Sequence, residues 1–163
     1  MVEVWAATVA LLSTLVPAAE GKATRYDPGL MDSVAARRER WGQLDPDVFH
    51  LGYVALGECE HVGSLAWIRW PDCPSGAYQG SRDGQCRGDG RLTGPYMVAD
   101  CGNAAHRALQ EANGFAVDLS WPLALQFDVV DAPYNGVTVY IQVGTRPIWE
   151  TRVIAQTMPA EIR

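Results

Sequence analysis

The segments GPYMVADC (residues 94–101) and FAVDLS (residues 115–120) decide the fold, because each predicts a strand that ends at an aspartate. The first segment is largely apolar, which is typical of a strand buried on both faces. An aspartate at such a position has its backbone anchored in the sheet while its side chain meets a groove. Partial burial there raises the pKa of a carboxyl group toward the range that suits proton transfer. The sequence therefore predicts that Asp100 and Asp118 carry the chemistry.

Outward from these two strands, turn residues divide the chain into further short elements. Strands are predicted over residues 22–26, 51–56, 64–70 and 137–143, and the second and third of these are expected to pair across the turn of residues 59–63. Helices are predicted over residues 28–41, 104–112 and about 121–127, with Asp27, Asn103 and Ser120 as N-caps. Many short strands separated by turns and short helices indicate a mostly-β barrel with helical insertions.

The composition limits the class of partner. A chain of 163 residues, of which 48% are hydrophobic, fits one globular domain with its own core. The formal net charge is −6, and the 13 lysine and arginine residues are spread along the chain. Because phosphate binding needs clustered basic residues, nucleic acid is not expected as a partner.

The N-terminal segment carries an uncharged apolar run from Val4 to Ala19, which has the length of a signal-peptide core and is short for a membrane span. We predict a signal peptide or N-terminal anchor over residues 1–21, a folded domain over residues 22–143 and a C-terminal extension over residues 144–163. A buried first helix is the alternative for the apolar run. The predicted location is extracellular or in the cell envelope, with membrane contact only through this segment if it is uncleaved.

Four cysteines in a chain with an export signal predict two disulfides in an oxidising compartment. Cys73 and Cys86 bracket a polar loop that has almost nothing apolar to order it, so a local bridge is expected there, which leaves Cys59 with Cys101. The cysteines lack the close spacing of zinc ligands, so neither a metal nor a cofactor is predicted. His50, His61 and His106 are interpreted as loop or helix-surface residues.

Four short motifs occur in order along the predicted domain: ATRY (residues 23–26), GYVAL (52–56), VADC (98–101) and VDLS (117–120). Together they resemble the double-psi β-barrel superfamily of expansins, barwin-like proteins and rare lipoprotein A, over residues 22–143. The resemblance implies a six-stranded double-psi β-barrel with short helical insertions. It also implies that Thr24, Tyr26, Asp100 and Asp118 line one polysaccharide-binding groove.

Each of these residues also has a purely structural interpretation. Asp118 precedes a helix whose dipole favours a carboxylate, and Asp100 ends a strand where turn residues are common. Thr24 and Tyr26 fit an ordinary strand. Trp121, beside Asp118, is a candidate sugar platform, and Trp67 is expected in the core.

The predicted function is cleavage of peptidoglycan or a related polysaccharide, because glycosidic bond cleavage uses paired carboxyl groups. The resemblance implies the reaction of a lytic transglycosylase, in which Asp118 is the general acid, Asp100 assists and no water attacks. A non-catalytic polysaccharide-binding or structural module, mounted on a larger envelope or virion assembly, is the alternative. A disulfide-rich inhibitor or toxin is a third class, which nothing in the polar loop demands.

Overall fold

The computed structural model describes residues 15–71, 90–102 and 104–143. Six strands form its main body: β1 (Leu15–Arg25), β2 (Tyr53–Leu56), β3 (Leu65–Arg69), β4 (Leu92–Cys101), β5 (Phe115–Leu119) and β6 (Tyr134–Gln142). They close into a barrel in the order β1-β5-β2-β4-β3-β6, and β6 pairs back onto β1. The pairs β1–β5 and β2–β4 are parallel and the other four are antiparallel. The prediction of a mostly-β, six-stranded barrel with short helices is confirmed.

The predicted pairing of β2 with β3 is wrong, because β4 lies between them. A short 3-10 turn at Cys59–His61 carries the chain from β2 across β4. Beyond that turn, Gly63 donates its backbone N–H to the carbonyl of Val98, and the N–H of Val98 donates to the carbonyl of Ser64. These two hydrogen bonds continue the β3–β4 ladder toward the turn, so the chain has reached the far side of β4 before β3 begins.

The first strand begins earlier than expected. Residues 15–21 belong to β1 and pair with β6, whereas the sequence assigned them to the segment before the domain. An apolar run of this length suits a strand as well as a leader, and β6 supplies the backbone partners. Several other predicted features lie outside the described residues: residues 1–14, Cys73, Cys86, Asn103 and the extension over residues 144–163.

The barrel interior holds a continuous apolar core to which every strand contributes. Its members from the strands include Ala23, Val54, Leu56, Ala66, Ile68, Tyr96, Val98, Val117, Leu119, Val137, Val139 and Ile141. Trp70 follows β3, is 2% exposed and belongs to the same core. Trp67 is 1% exposed, which confirms its predicted place in the core.

Three short helices decorate the barrel: α1 (Leu30–Arg40), α2 (Ala104–Ala112) and α3 (Trp121–Gln126). Helix α1 packs on the outside of β2 and β4, where Met31 and Ala35 meet Ala55 and Met97. Among the described helices, none is long and apolar enough to cross a membrane.

The predicted N-cap Asp27 of α1 is wrong, whereas the predicted N-cap Ser120 of α3 is confirmed in position. Helix α1 begins after Gly29, which has a φ of 74°, and Asp27 instead forms an ion pair with Arg25. Ser120 occupies the N-cap position of α3, but its side chain makes no capping hydrogen bond. Gly42 and Gly114 follow α1 and α2 and have φ values of 69° and 66°, which other residues adopt only at a cost.

The disulfide Cys59–Cys101 ties the 3-10 turn to the end of β4, as predicted. It joins residues 42 positions apart, so it limits the freedom of a long unfolded loop. We expect the double variant C59S/C101S to lose about 2–4 kcal/mol in the free energy of unfolding, measured by denaturant titration. A midpoint equal to that of the wild type would contradict this expectation.

Candidate functional site

One row of side chains crosses four neighbouring strands. Thr24 on β1 lies opposite Asp118 on β5, Asp118 lies opposite Ala55 on β2, and Ala55 lies opposite Asp100 on β4. Neighbouring strands are about 4.8 Å apart, so the Cα atoms of the two aspartates are about 10 Å apart. The topology thus brings together two aspartates that are distant in the chain. The four residues Thr24, Asp118, Ala55 and Asp100 are called the outer row below.

The outer row lies on the outer surface of the barrel. Ala23, Val117 and Leu119 belong to the interior core. Because side chains alternate along a strand, the intervening Thr24 and Asp118 point outward. Ala55 belongs to the second apolar cluster, beneath α1, on the same outer surface.

A β-bulge determines where the side chain of Asp100 points. Val54 pairs with Val98 and Ala55 pairs with Asp100, so Ala99 is an extra residue on β4. Without this extra residue, Asp100 would lie opposite Leu56, whose side chain is in the interior core. The bulge therefore turns the carboxylate from the barrel interior to the outer row.

Asp100 has a hydrogen-bond partner on each carboxylate oxygen. The hydroxyl of Tyr26 donates to Oδ2 over 2.8 Å, and the guanidinium of Arg38 donates to Oδ1 over 2.8 Å. The side chains of Arg38 and Asp100 are 18% and 17% exposed, so the ion pair is largely shielded from water. Burial raises the pKa of Tyr26 well above its usual value, and its bond to Asp100 adds to that rise.

Asp118 is held differently. The hydroxyl of Thr24 donates to its Oδ1 across the parallel pair β1–β5. Burial raises the pKa of Asp118, the hydrogen bond from Thr24 opposes that rise, and the charge of Asp100 adds to it. A partly buried carboxyl group with a raised pKa is suited to hold and donate a proton.

The structure brings together Thr24, Tyr26, Asp100 and Asp118, and their place along a polysaccharide-binding groove stays a prediction. The contact described for Trp121 joins it to Arg25, whose guanidinium lies 5.0 Å from the centre of the indole ring. Arg25 in turn donates to the carbonyl of Val130 over 2.6 Å. Whether Trp121 also contacts a ligand stays a prediction.

Arg38 was not among the predicted site residues. A signal was present in the sequence. Arg38 follows the buried residues Val34 and Ala35 by four and three positions, so it shares their side of the helix. Its position near the end of α1 places the guanidinium over the end of β4.

A second group of polar side chains lies around the 3-10 turn. The Nε2 atom of His61 is 3.8 Å from a carboxylate oxygen of Glu58 and of Glu60. The three ligand atoms lie within 4.8 Å of one another, and both glutamates are exposed. At 3.8 Å these contacts are longer than a hydrogen bond.

Substitution R38M tests the ion pair with Asp100. We expect it to lower the free energy of unfolding at neutral pH by about 2 kcal/mol, less than the about 3–5 kcal/mol of a fully buried pair, because water still reaches both side chains. Substitution R37M is the matched control, because Arg37 lies on exposed Trp41, and its expected effect is below about 0.5 kcal/mol. Equal effects of the two substitutions in denaturant titrations would contradict the assignment.

Comparisons with protein-family models, with curated proteins and with solved structures found no match to this chain.

Proposed function

We propose that this protein binds a glycan strand along the outer row and cleaves a glycosidic bond there, with Asp118 as the general acid. The observation that carries the proposal is the environment of the Asp118 carboxyl group, which raises its pKa and fixes its orientation. Burial and the charge of Asp100 raise its pKa, while Thr24 fixes its orientation from the neighbouring strand. Glycosidic oxygens are poor leaving groups until they are protonated, so an oriented acid is the first requirement of the reaction.

The fold supports a place in the double-psi β-barrel superfamily. A closed barrel of six strands with mixed directions agrees with the architecture that the four motifs imply. One residue from each of the four motifs, Thr24, Ala55, Asp100 and Asp118, also lies in one row, although they are on four different strands. The superfamily proposal is supported because the motif residues lie opposite one another on neighbouring strands.

The proposed reaction proceeds without water, as in a lytic transglycosylase. Asp118 donates its proton to the glycosidic oxygen, and the bond between that oxygen and the anomeric carbon breaks. A hydroxyl group of the same sugar then attacks the anomeric carbon, and its proton passes to the carboxylate of Asp118. The products are a free hydroxyl end and an internal anhydro ring, and the acid is regenerated.

Asp100 fits an electrostatic role in this scheme better than a chemical one. Its two oxygens are engaged by Tyr26 and Arg38, so it is poorly placed to attack a sugar or to activate water. A fixed carboxylate near the reaction still stabilises the positive charge of an oxocarbenium-like transition state. The arrangement therefore favours a mechanism with a single acid.

Peptidoglycan or a related polysaccharide in the cell envelope is the proposed substrate. The Cys59–Cys101 disulfide is compatible with an extracellular or periplasmic location, because disulfides persist in oxidising compartments. A role within a larger envelope or virion assembly agrees with this location.

The products released from purified sacculi test the proposal. Lytic cleavage gives fragments one water lighter than the reducing fragments of hydrolysis, and mass spectrometry separates the two. We expect the lighter, anhydro-ended fragments. Reducing ends would overturn the proposed route, and an absence of soluble fragments would overturn catalysis.

A non-catalytic glycan-binding module is the second candidate, and the engagement of Asp100 favours it. A carboxylate with both oxygens bonded to Tyr26 and Arg38 is well placed to shape a binding surface. Sedimentation of the protein with sacculi, without release of fragments, would support this candidate.

A further inference from the structure

An open pocket of about 370 Å³ adjoins the outer row at Thr24. It lies between β1, the start of β5 and the end of α2. Its lining includes Lys22, Thr24, Leu109, Asn113, Phe115 and Pro133. Because Thr24 bonds directly to Asp118, a glycan at the outer row that extends along β1 would enter this pocket.

Lys22 is the only lysine in the chain, whereas the remaining basic residues are arginines. The backbone of Lys22 is fixed, since its N–H donates to the carbonyl of Gly114 over 2.7 Å and Lys22 pairs with Phe115. Its side chain is half-buried. Within residues 15–71, 90–102 and 104–143, no acidic side chain forms an ion pair with its ammonium group.

The rest of the pocket offers both apolar and polar surface. Leu109 is 62% exposed, and half-buried Phe115 lies beside it in the lining. The apolar face of a sugar ring or the methyl of an acyl group suits these side chains. Asn113 donates to the carbonyl of Leu109 over 2.8 Å, which fixes its amide at the rim.

We propose that this pocket is a subsite for a sugar that carries a carboxylate, with Lys22 as the ion-pair partner of that carboxylate. The inference rests on the proposed glycan function and specifies its substrate class as an anionic glycan. The chain as a whole has a net charge of −6, so a local cation favours the binding of an anionic strand. Lys22 supplies that cation two residues from Thr24, whereas the charge of Asp100 is already offset by Arg38.

Two glycan classes present this chemistry, namely polymers of hexuronic acid and amino-sugar strands that carry an ether-linked carboxylate. The test uses the D118N variant, which binds without cleaving, and calorimetric titration with three probes. The probes are oligogalacturonate, peptide-free peptidoglycan strands and neutral chito-oligosaccharide. Methyl-esterified forms of the two acidic probes are the matched neutral ligands.

We expect D118N to bind at least one acidic probe more tightly than its methyl ester, and K22Q/D118N to bind that probe about tenfold more weakly. K22R/D118N should retain most of the affinity, because it keeps the charge. Binding of the neutral probe should change less than about twofold on K22Q. The acidic probe that shows the effect identifies the source of the carboxylate.

A labelling experiment gives an independent readout on the unmutated protein. Acetylation of amines can modify only Lys22 and the N-terminal amine, which serves as the internal reference. An acidic probe should slow acetylation of Lys22 relative to that reference.

The outcomes separate the two proposals. Equal affinity of K22Q/D118N and D118N for the acidic probe would overturn the subsite, even where sacculi are cleaved. Binding that depends on Lys22, together with intact sacculi, would support the subsite and overturn catalysis. Failure of D118N to bind any of the three probes would overturn both.

Discussion

Substitution D118N is expected to lower the rate of glycan cleavage by a factor on the order of 100 to 10,000, the usual contribution of a general acid. Asparagine keeps the shape of the side chain and an oxygen to accept the hydrogen bond from Thr24, but it has no proton to donate to a glycosidic oxygen. Release of soluble fragments from sacculi measures the rate. Cleavage at the wild-type rate by D118N would contradict the proposed function.

The pH dependence of the reaction gives a second readout of the same group. The protonated form of Asp118 is the active one, so the rate should fall about tenfold per pH unit above the raised pKa. Substitution T24V removes the hydrogen bond that lowers this pKa, so the falling limb should move to higher pH. Substitution T138V, at a half-buried threonine on β6 that pairs with Glu20 and Arg69 and not with the outer row, is the matched control and should leave the profile unchanged.

Loss of activity in D118N should not come from unfolding. Because burial raises the folded-state pKa of Asp118, its contribution to stability is fully present below the unfolded value near 3.8 and is lost as the pH rises through the folded value. Asparagine does not ionise, so D118N should gain stability relative to the wild type as the pH rises through this window. Denaturant titrations at about pH 3 and about pH 7 measure the difference.

Substitution W70A is expected to have the largest effect on stability, a loss of about 3–5 kcal/mol. Trp70 is buried and stacks on Phe127 with 4.3 Å between ring centroids, and Tyr134 meets it edge-on at 5.0 Å. Its indole N–H also donates to the hydroxyl of buried Thr93 over 2.8 Å. Alanine leaves a large cavity and removes this donor.

The matched control is W41A, because Trp41 is 64% exposed at the end of α1. Its expected cost is below about 0.5 kcal/mol. Substitution W70F should lose less than W70A, since it keeps part of the ring contact. Equal denaturant midpoints for W70A and W41A would show that Trp70 contributes no more to stability than an exposed tryptophan does.

The elements of the fold were predictable where local sequence determines them. The apolar run that became β4 and the bounds of α2 followed from short patterns, and the pair Cys59–Cys101 followed from assigning Cys73 and Cys86 to a local bridge. Thr24 and Asp118, which the resemblance assigned to one groove, are joined by a hydrogen bond. Local patterns alone would not have joined residues 94 positions apart.

Strand pairing and the final geometry of the site were not predictable in this way. The chain crosses from β2 to β3 over β4, and such a crossing depends on backbone partners far away in the sequence. The extra residue Ala99 turns the side chain of Asp100 to the outer surface of the barrel. An apolar run contains no sequence pattern that predicts such a β-bulge. The role of Arg38 depended on knowing that α1 covers β4.

The pairing of β1 with β6 also determines the point during synthesis at which the barrel can close. The two partners of the first strand, β5 and β6, are the last two of the six described strands in chain order. The nascent chain therefore cannot complete its barrel until residue 142 has left the ribosome, and contacts of such long range form slowly.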